Sequence, residues 1–447
     1  MLNAFLIVVV AFAMIWQGVS MLLAWENRRY SLVRLGKQPK HRRIEPRVAL
    51  FLPCKGDDGD LRENLVAFFL QLHPNFELNL IVESELDAAC SVIQSVQKEY
   101  PNVDSRLIVA GVASRDGQKV HNLRIATENL SDDVRILAFA DADIRPDDRW
   151  LQALTLKVCK SKNTIANTGY RWMLPERNTL TNLVVYSINA TIAGTMGAGK
   201  HFLIWGGSWA IRRSNFERLA IRDAWQGTLS DDLVASGVIH KDEGNVRYAP
   251  KCLCSTAFDM SANQALEFLR RQYLIGRKYS PRLFWPGYIV LLTTVSAWWI
   301  AIGIAMAGSG SISLLAAIAG LTIYLLGICK ALMRQSVFRK KNPRQHARHR
   351  LAVVFDVIAS PLVSSVNLVV MTWSLFGSRI CWRENHYHIH RDGQIEKLAA
   401  ANAIQGETNG LEEDTQTCRD NQVVLKYDAA KSNSRAQSKN ESKKRAA

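Results

Sequence analysis

Three long stretches without a charged residue constrain this chain more than any other feature. Leu2 to Trp25, Leu283 to Cys329 and Val357 to Ser378 contain no Asp, Glu, Lys or Arg. About 20 consecutive apolar residues suffice to cross the hydrocarbon core of a bilayer. The first run therefore predicts one span. The second, interrupted at Gly308-Ser309-Gly310-Ser311, predicts two, and the third is a further candidate. Between the first and second lies a region of mixed composition long enough for a folded domain. With 48% hydrophobic residues over 447 positions, disordered, collagen-like and small disulfide-rich classes are excluded.

A cleaved signal peptide would carry basic residues ahead of a shorter apolar core. Here Met1 leads directly into apolar residues, and the basic cluster Arg28, Arg29, Arg34, Lys37, Lys40, Arg42 and Arg43 comes after them. That order predicts an uncleaved anchor with residue 26 onward in the cytoplasm; a bacterial inner membrane is the expected location. The chain has 56 Lys+Arg against 40 Asp+Glu, a formal charge of +16. The excess is explained by topology and by contact with anionic lipid headgroups; no recognition motif points to nucleic acid. Eight cysteines without CxxC spacing are expected as free thiols. Asp356 and Pro361 interrupt the stretch Leu351 to Ser378, and both its flanks are basic. A re-entrant or interfacial hairpin keeps both flanks on one side of the membrane, whereas a span separates them.

After the anchor, Arg47 to Pro53, Leu78 to Val82, Arg106 to Ala110 and Val134 to Ala140 read as buried strands. Between them Leu61 to Leu72, Ala88 to Tyr100 and Val120 to Leu130 repeat apolar residues at helical spacing. Alternation of this kind predicts an α/β domain on a parallel sheet, with ligands beyond the carboxyl ends of the strands. Farther on, Thr179 to Ala193 and Ser230 to His240 read as helices, and Ser208 to Arg212 as a strand.

The chemistry-bearing residues fall at those strand ends. Val134 to Ala140 runs directly into Asp141-Ala-Asp143, two carboxylates suited to holding a hard divalent cation against a diphosphate. Asp58-Gly-Asp60 shows that the pattern alone is weak, so its place after a buried strand carries the reading. Val82 leads into Glu83-Ser-Glu-Leu-Asp87, whose oxygens suit a nucleobase or ribose, or a helix cap. Ser230-Asp231-Asp232 opens a helix, where a carboxylate serves either as a general base or as a cap.

Taken in order, Leu52 to Asp58, Asn64-Leu65, Glu83 to Ala89, Gly117 to Leu123, Phe139 to Ile144, Gly169 to Trp172, Trp205 to Ser208, Ser230 to Leu233, Arg270 to Gln272 and Trp382-Arg383 resemble the ceramide glucosyltransferase family. This is glycosyltransferase family 21, related to family 2. The resemblance implies a GT-A (Rossmann-like) nucleotide-sugar-binding domain with N- and C-terminal transmembrane helices. It implies inverting transfer of a hexose, glucose first, from a UDP-sugar to ceramide or a ceramide-like membrane lipid, with Mn²⁺ or Mg²⁺ as the metal. Residue by residue, it puts Asp87 on the nucleotide base, Asp141 on the ribose and metal-diphosphate, Asp143 on the metal, and Asp232 as the base that deprotonates the acceptor. Lys55 and Lys119 match basic positions on the nucleotide side. Arg270, Arg271 and Gln272 stand in the family's Q/RxxRW element, with Tyr273 where Trp is expected.

These readings divide the chain into an anchor (1–25), a basic linker (26–46), a catalytic domain (47–280), transmembrane or interfacial helices (281–378), a membrane-proximal segment (379–404) and a disordered tail (405–447). Gly194 to His201 nearly matches a phosphate loop but lacks its Ser/Thr, and is expected as a turn at the acceptor entrance. His386, His388 and His390 share a strand face and are expected to make polar contacts rather than bind metal. Cys252 and Cys254 are expected in packing. Tyr170, Arg171 and Trp172 are placed either against the sugar or acceptor or in ordinary packing. Sugar transfer to a hopanoid or other polar lipid, a processive polysaccharide synthase and an inactive scaffold are the rival readings.

Overall fold

A computed structural model describes residues 2–37, 46–57, 59–161, 163–200, 202–382 and 385–398. The expected tail (405–447), Asp58, His201, Arg383 and most of the basic linker's second half lie outside the described residues. Helix α1 (Leu2–Gly36) continues past Trp25 through the first part of the basic cluster. Its far end docks on the domain that follows: Tyr30 donates its hydroxyl to Tyr248 O at 3.0 Å, and Asn27 Nδ2 donates to Thr195 O at 3.0 Å.

The domain opens with β1 (Arg47–Pro53), α2 (Leu61–Phe69), β2 (Phe76–Val82), α3 (Ala89–Glu99), β3 (Ser105–Val109), α4 (Gln118–Ala126) and β4 (Val134–Ala140). These four strands run parallel in the order β3-β2-β1-β4. Their near-continuous apolar runs follow from burial on both faces. Leu50, Leu52, Leu78 and Leu80 pack toward α2 and α3, while Phe51 and Phe139 face α4.

The second half adds α5 (Trp150–Lys160), β5 (Thr164–Pro175), α6 (Leu180–Thr195), β6 (Ser208–Arg212), the short α7 (Arg213–Arg218) and α8 (Ile221–Ala224), α9 (Asp231–Lys241) and β7 (Asn245–Phe258). The sheet continues as β4-β6-β5-β7, with β6 antiparallel to both neighbours. The sheet is therefore mixed, rather than wholly parallel as the βα alternation predicts. Reversal of β6 has a positional consequence. Ser208 pairs with Ala140, so the turn preceding β6 lies at the same edge as the carboxyl end of β4.

Helix α10 (Ala262–Tyr279) starts at a capping box of Ser261 and Gln264 and leads to α11 (Pro281–Ala307) and α12 (Gly310–Lys341). Both α11 and α12 are long and apolar enough to cross a membrane. They part at the Gly308 break that the sequence marks, and α1 lies against both through Ala13, Ala297 and Ile323. After α13 (Pro343–Arg348), α14 (Arg350–Ile358) and α15 (Ser360–Trp373) meet at a bend of 81°. Pro361 sits in the first turn of α15, where its missing N–H costs nothing. A separate antiparallel sheet of β8 (Arg379–Trp382), β9 (Asn385–Ile389) and β10 (Ile395–Leu398) closes the described chain. Among the described residues six cysteines are free thiols; Cys381 departs from the expectation, being disulfide-bonded. Cys252 and Cys254 are buried in the core, as expected.

Candidate active site

One cavity of about 1910 Å³ lies along the carboxyl edge of the sheet. Because β1, β2 and β4 are parallel, the residues that follow them converge there. Lys55 comes from β1, Glu83 from β2, and Asp141 and Asp143 from β4. Asn64 of α2 steadies the last of these turns, donating Nδ2 to Ala142 O at 3.1 Å and accepting from Arg145 Nε at 3.2 Å.

Asp231 and Asp232 stand at the N-terminus of α9, where unsatisfied N–H groups favour negative charge. The two diverge. Asp231 is buried and reaches Lys119 Nζ at 3.1 Å; Lys119 also meets Asp141 Oδ1 at 2.7 Å. Burial pushes the Asp231 carboxyl up to about 6, partly opposed by Lys119 and reinforced by Asp232 and Asp141. Burial by itself lowers Lys119, but the attraction of Asp141, Asp231 and Asp232 outweighs it, and the ammonium is held well above its ordinary value. Asp232 Oδ2 accepts from Gly206 N at 2.9 Å, while Oδ1 accepts from Leu233 N at 2.8 Å and from the Ser230 hydroxyl. These bonds fix its rotamer at the cavity wall.

Gly206 is required by crowding. A Cβ there would stand 2.8 Å from Lys119 Nζ and 3.1 Å from Asp231 Oδ2. In the sequence Asp231 reads only as a base or a cap, and Gly206 only as part of the Trp205 to Ser208 stretch. The Gly206-Gly207 pair before a strand is the available signal, since paired glycines mark a close approach.

Of the residues singled out in the sequence, Lys55, Lys119, Asp141, Asp143, Asp232, Arg271 and Gln272 line this cavity. Lys55 is paired with Glu83 at 2.7 Å. Asp87 is not in the lining. Its Oδ1 accepts from Gly56 N at 2.7 Å and Ala89 N at 2.9 Å, so it shapes the β1 turn from behind. Arg270 also faces elsewhere, lying 4.6 Å over the Trp373 ring and donating to Phe376 O at 3.2 Å. Successive residues on a helix point about 100° apart, so α10 cannot turn all three residues of its Arg-Arg-Gln run inward. Tyr273 donates its hydroxyl to Asn367 of α15, which ties the family-atypical tyrosine to the apolar helices.

Tyr170 and Arg171 line the cavity, with the Tyr170 ring 5.8 Å from Trp205. Trp172 does not; it is buried and stacks on Phe338 of α12. The Gly194 to Lys200 turn contributes Thr195 and Met196 to the wall. Gly197 packs so closely on Asn27 of α1 that no side chain fits. Leu283, in the first turn of α11, completes the wall on the apolar side.

Among the described residues, no three His, Cys, Asp or Glu side chains converge as a closed metal cage. Magnesium-type sites in nucleotide enzymes use one or two carboxylates and complete the shell with phosphate oxygens and water. Asp141 and Asp143 fit that pattern, and Asp231 Oδ2, buried with no hydrogen-bond partner among the described residues, leaves further acceptor capacity beside them.

Comparison with known proteins converts this arrangement into a class: the chain is a glycosyltransferase. It belongs to glycosyl transferase family 21, whose sequence model matches residues 5–395. It is 29% identical to ceramide glucosyltransferase 1 of Caenorhabditis elegans over 141 residues, 32% of this chain and 30% of that protein. With the ceramide glucosyltransferase of Komagataella phaffii it shares 30% identity over 118 residues, 25% of this chain and 23% of that protein. The match thus spans less than a third of either relative. Among solved structures it is similar to mannosyltransferase PcManGT from Pyrobaculum calidifontis in complex with GDP-Man and Mn²⁺, with TM-score 0.47 and 15% identity over 84% of this chain and 98% of that one. A second is glucosyl-3-phosphoglycerate synthase from Mycobacterium tuberculosis in complex with Mn²⁺, UDP and phosphoglyceric acid, with TM-score 0.35 and 12% identity over 53% of this chain and 83% of that one.

Proposed function

We propose that this chain transfers a hexose, glucose in the first instance, from a UDP-sugar to ceramide or a ceramide-like membrane lipid, with inversion at the anomeric carbon. The observation that carries the reading is that a single cavity is lined both by Asp141, Asp143 and Asp232 and by Leu283 of the apolar helix α11. A water-soluble donor and a bilayer-borne acceptor each find a matching wall. The ceramide glucosyltransferase relatives support the same acceptor class.

In this reading Asp232 takes the proton of the acceptor hydroxyl as the oxygen attacks the sugar. Its hydrogen bonds from Gly206 N and Leu233 N hold the carboxylate in place for that step. Displacement from the face opposite the leaving group gives a β-linked product from an α-linked donor. Negative charge grows on the departing diphosphate, and Lys119 supplies a fixed positive charge beside Asp141 on that side. A divalent cation held by Asp141 and Asp143 would add charge neutralisation there when bound. The basic residues Arg28, Arg29 and Arg34 beyond the apolar part of α1 support a cytoplasmic catalytic face.

The test is incubation of the purified protein with a panel of radiolabelled UDP-sugars and with ceramide, diacylglycerol or hopanoid acceptors, with and without EDTA, followed by thin-layer separation. The expected result is one labelled lipid, formed from UDP-glucose and ceramide and lost with EDTA. A labelled polymer in the aqueous fraction, or a product from another acceptor alone, overturns the assignment.

A further inference from the structure

Lys330 is the first charged residue after the apolar run that forms α11 and most of α12. It faces a small chamber of about 120 Å³ enclosed by α1, α6, α11, α12, α14 and α15. No residue lines both this chamber and the active-site cavity.

The chamber's charges do not balance. Asp356, fully buried, accepts from Arg334 at 2.6 Å and 2.9 Å and from Gln335 Nε2 at 2.7 Å. Arg334 therefore consumes the chamber's one carboxylate. Lys330 donates to Gln17 Oε1 and, at 3.1 Å, to Ser20 Oγ, both neutral groups. Gln17 is held in that orientation by donating Nε2 to Thr294 Oγ1 at 3.2 Å. Among the described residues Lys330 has no carboxylate partner. Two further polar atoms in the lining are unsatisfied: Ser187 Oγ, on a residue 1% exposed, and Trp298 Nε1 are buried with no hydrogen-bond partner among the described residues.

An ammonium without a counter-ion in a membrane-level pocket is unfavourable, and so are buried donors left unpaired. A single oxyanion relieves all three. The tryptophan N–H can only donate and the ammonium has only donors, so the missing partner is an acceptor, and the uncompensated charge makes it an anion. Lys330 stands at the boundary between apolar and basic sequence on α12, the level at which basic pockets between helices meet lipid phosphates.

We propose that this chamber binds the phosphate oxyanion of an anionic membrane phospholipid, with Lys330 supplying the charge and Ser187 and Trp298 the additional hydrogen bonds. The site is distinct from that of the acceptor proposed above, which carries no charge. It joins α6 to the membrane helices. Because Ile192 and Thr195 near the end of α6, and Met196 just beyond it, line the active-site cavity, a lipid bound there braces that wall.

The test uses the full chain purified in non-ionic detergent and stripped of lipid. It is titrated with phosphatidylglycerol, diacylglycerol or inorganic phosphate, following melting temperature and, by native mass spectrometry, bound lipid. Phosphatidylglycerol is expected to raise the melting temperature by several degrees and diacylglycerol to have no effect. Lys330→Gln is expected to weaken binding roughly tenfold or more. Inorganic phosphate reproducing the shift supports the oxyanion site with a free ion as its ligand. Equal shifts with phosphatidylglycerol and diacylglycerol, or an undiminished phosphatidylglycerol shift in Lys330→Gln, overturn the proposal. If Lys330→Gln does not fold, Ser187→Ala serves in its place, and an unchanged shift there has the same consequence.

Discussion

Lys119 Nζ lies 2.7 Å from Asp141 Oδ1, joining the strand-end carboxylate of β4 to the first turn of α4. The same ammonium holds Asp231, so one lysine is shared between two acids at the cavity wall. Lys119→Met leaves both carboxylates facing each other. Removing one partner from a buried ion pair costs roughly 3–5 kcal/mol, and a lower melting temperature is expected. Mn²⁺ is expected to raise the melting temperature of the variant more than that of the wild type, because the cation restores the missing charge. Thermal melts with and without Mn²⁺ check both statements.

Gly206→Ala tests positioning rather than folding. The new methyl meets the far end of a flexible side chain, Lys119 Nζ at 2.8 Å, so the lysine moves and the backbone stays. Turnover is expected to fall about 10²-fold, the order that a misplacement of about 1 Å costs, with a smaller drop in melting temperature than in Lys119→Met. Steady-state kinetics beside a melt separate the two effects.

Much of this arrangement is legible in the sequence. The strands β1 and β4 are read with their full extents because a strand buried on both faces is an uninterrupted apolar run. The position of Asp141 and Asp143 follows from β4 alone. The long strands β5 and β7 are not legible. Their pairing shifts register between Thr168 and Tyr170, where Gly169 abuts Cys252 O too closely for any side chain, and such a crossing leaves no simple alternation. Ser230 and Asp231 read together as a helix cap; Ser230 takes that role by accepting from Leu233 N, while Asp231 pairs with Lys119. The lysine that engages Asp231 comes from α4, a partner that no local pattern reveals. Arg270 is expected in the site because it falls in the stretch matching the family's Q/RxxRW element, yet the helix turns it toward Trp373.

Trp172 and Phe338 stack with centroids 4.4 Å apart and planes at 2°, both fully buried. They weld the end of α12 to β5, so the long apolar helix and the seven-stranded sheet share a core. Phe338→Ala is expected to cost roughly 3–5 kcal/mol, as for other buried aromatic truncations. A melting curve in detergent that stays at the wild-type temperature would show that the helix is only loosely attached.

Burial pushes the His73 imidazole down to about 4, opposed only in part by hydrogen bonding with the Asn75 backbone. The unfolded chain takes up that proton near 6.5. Stability from this residue is therefore complete above pH 6.5 and is lost as the pH falls toward 4, to a total of about 3 kcal/mol. Melting temperatures across that window are expected to decline in the wild type. The decline should be shallower in His73→Phe.

The most direct test of the account is Asp232→Asn, measured for both donor binding and single-turnover transfer to ceramide. An amide keeps the size of the side chain but cannot accept the proton, so transfer is expected to fall by about 10²–10⁴-fold, with UDP-glucose affinity unchanged. Near-wild-type transfer by Asp232→Asn would contradict the assignment of Asp232 as the base and, with it, the proposed single displacement.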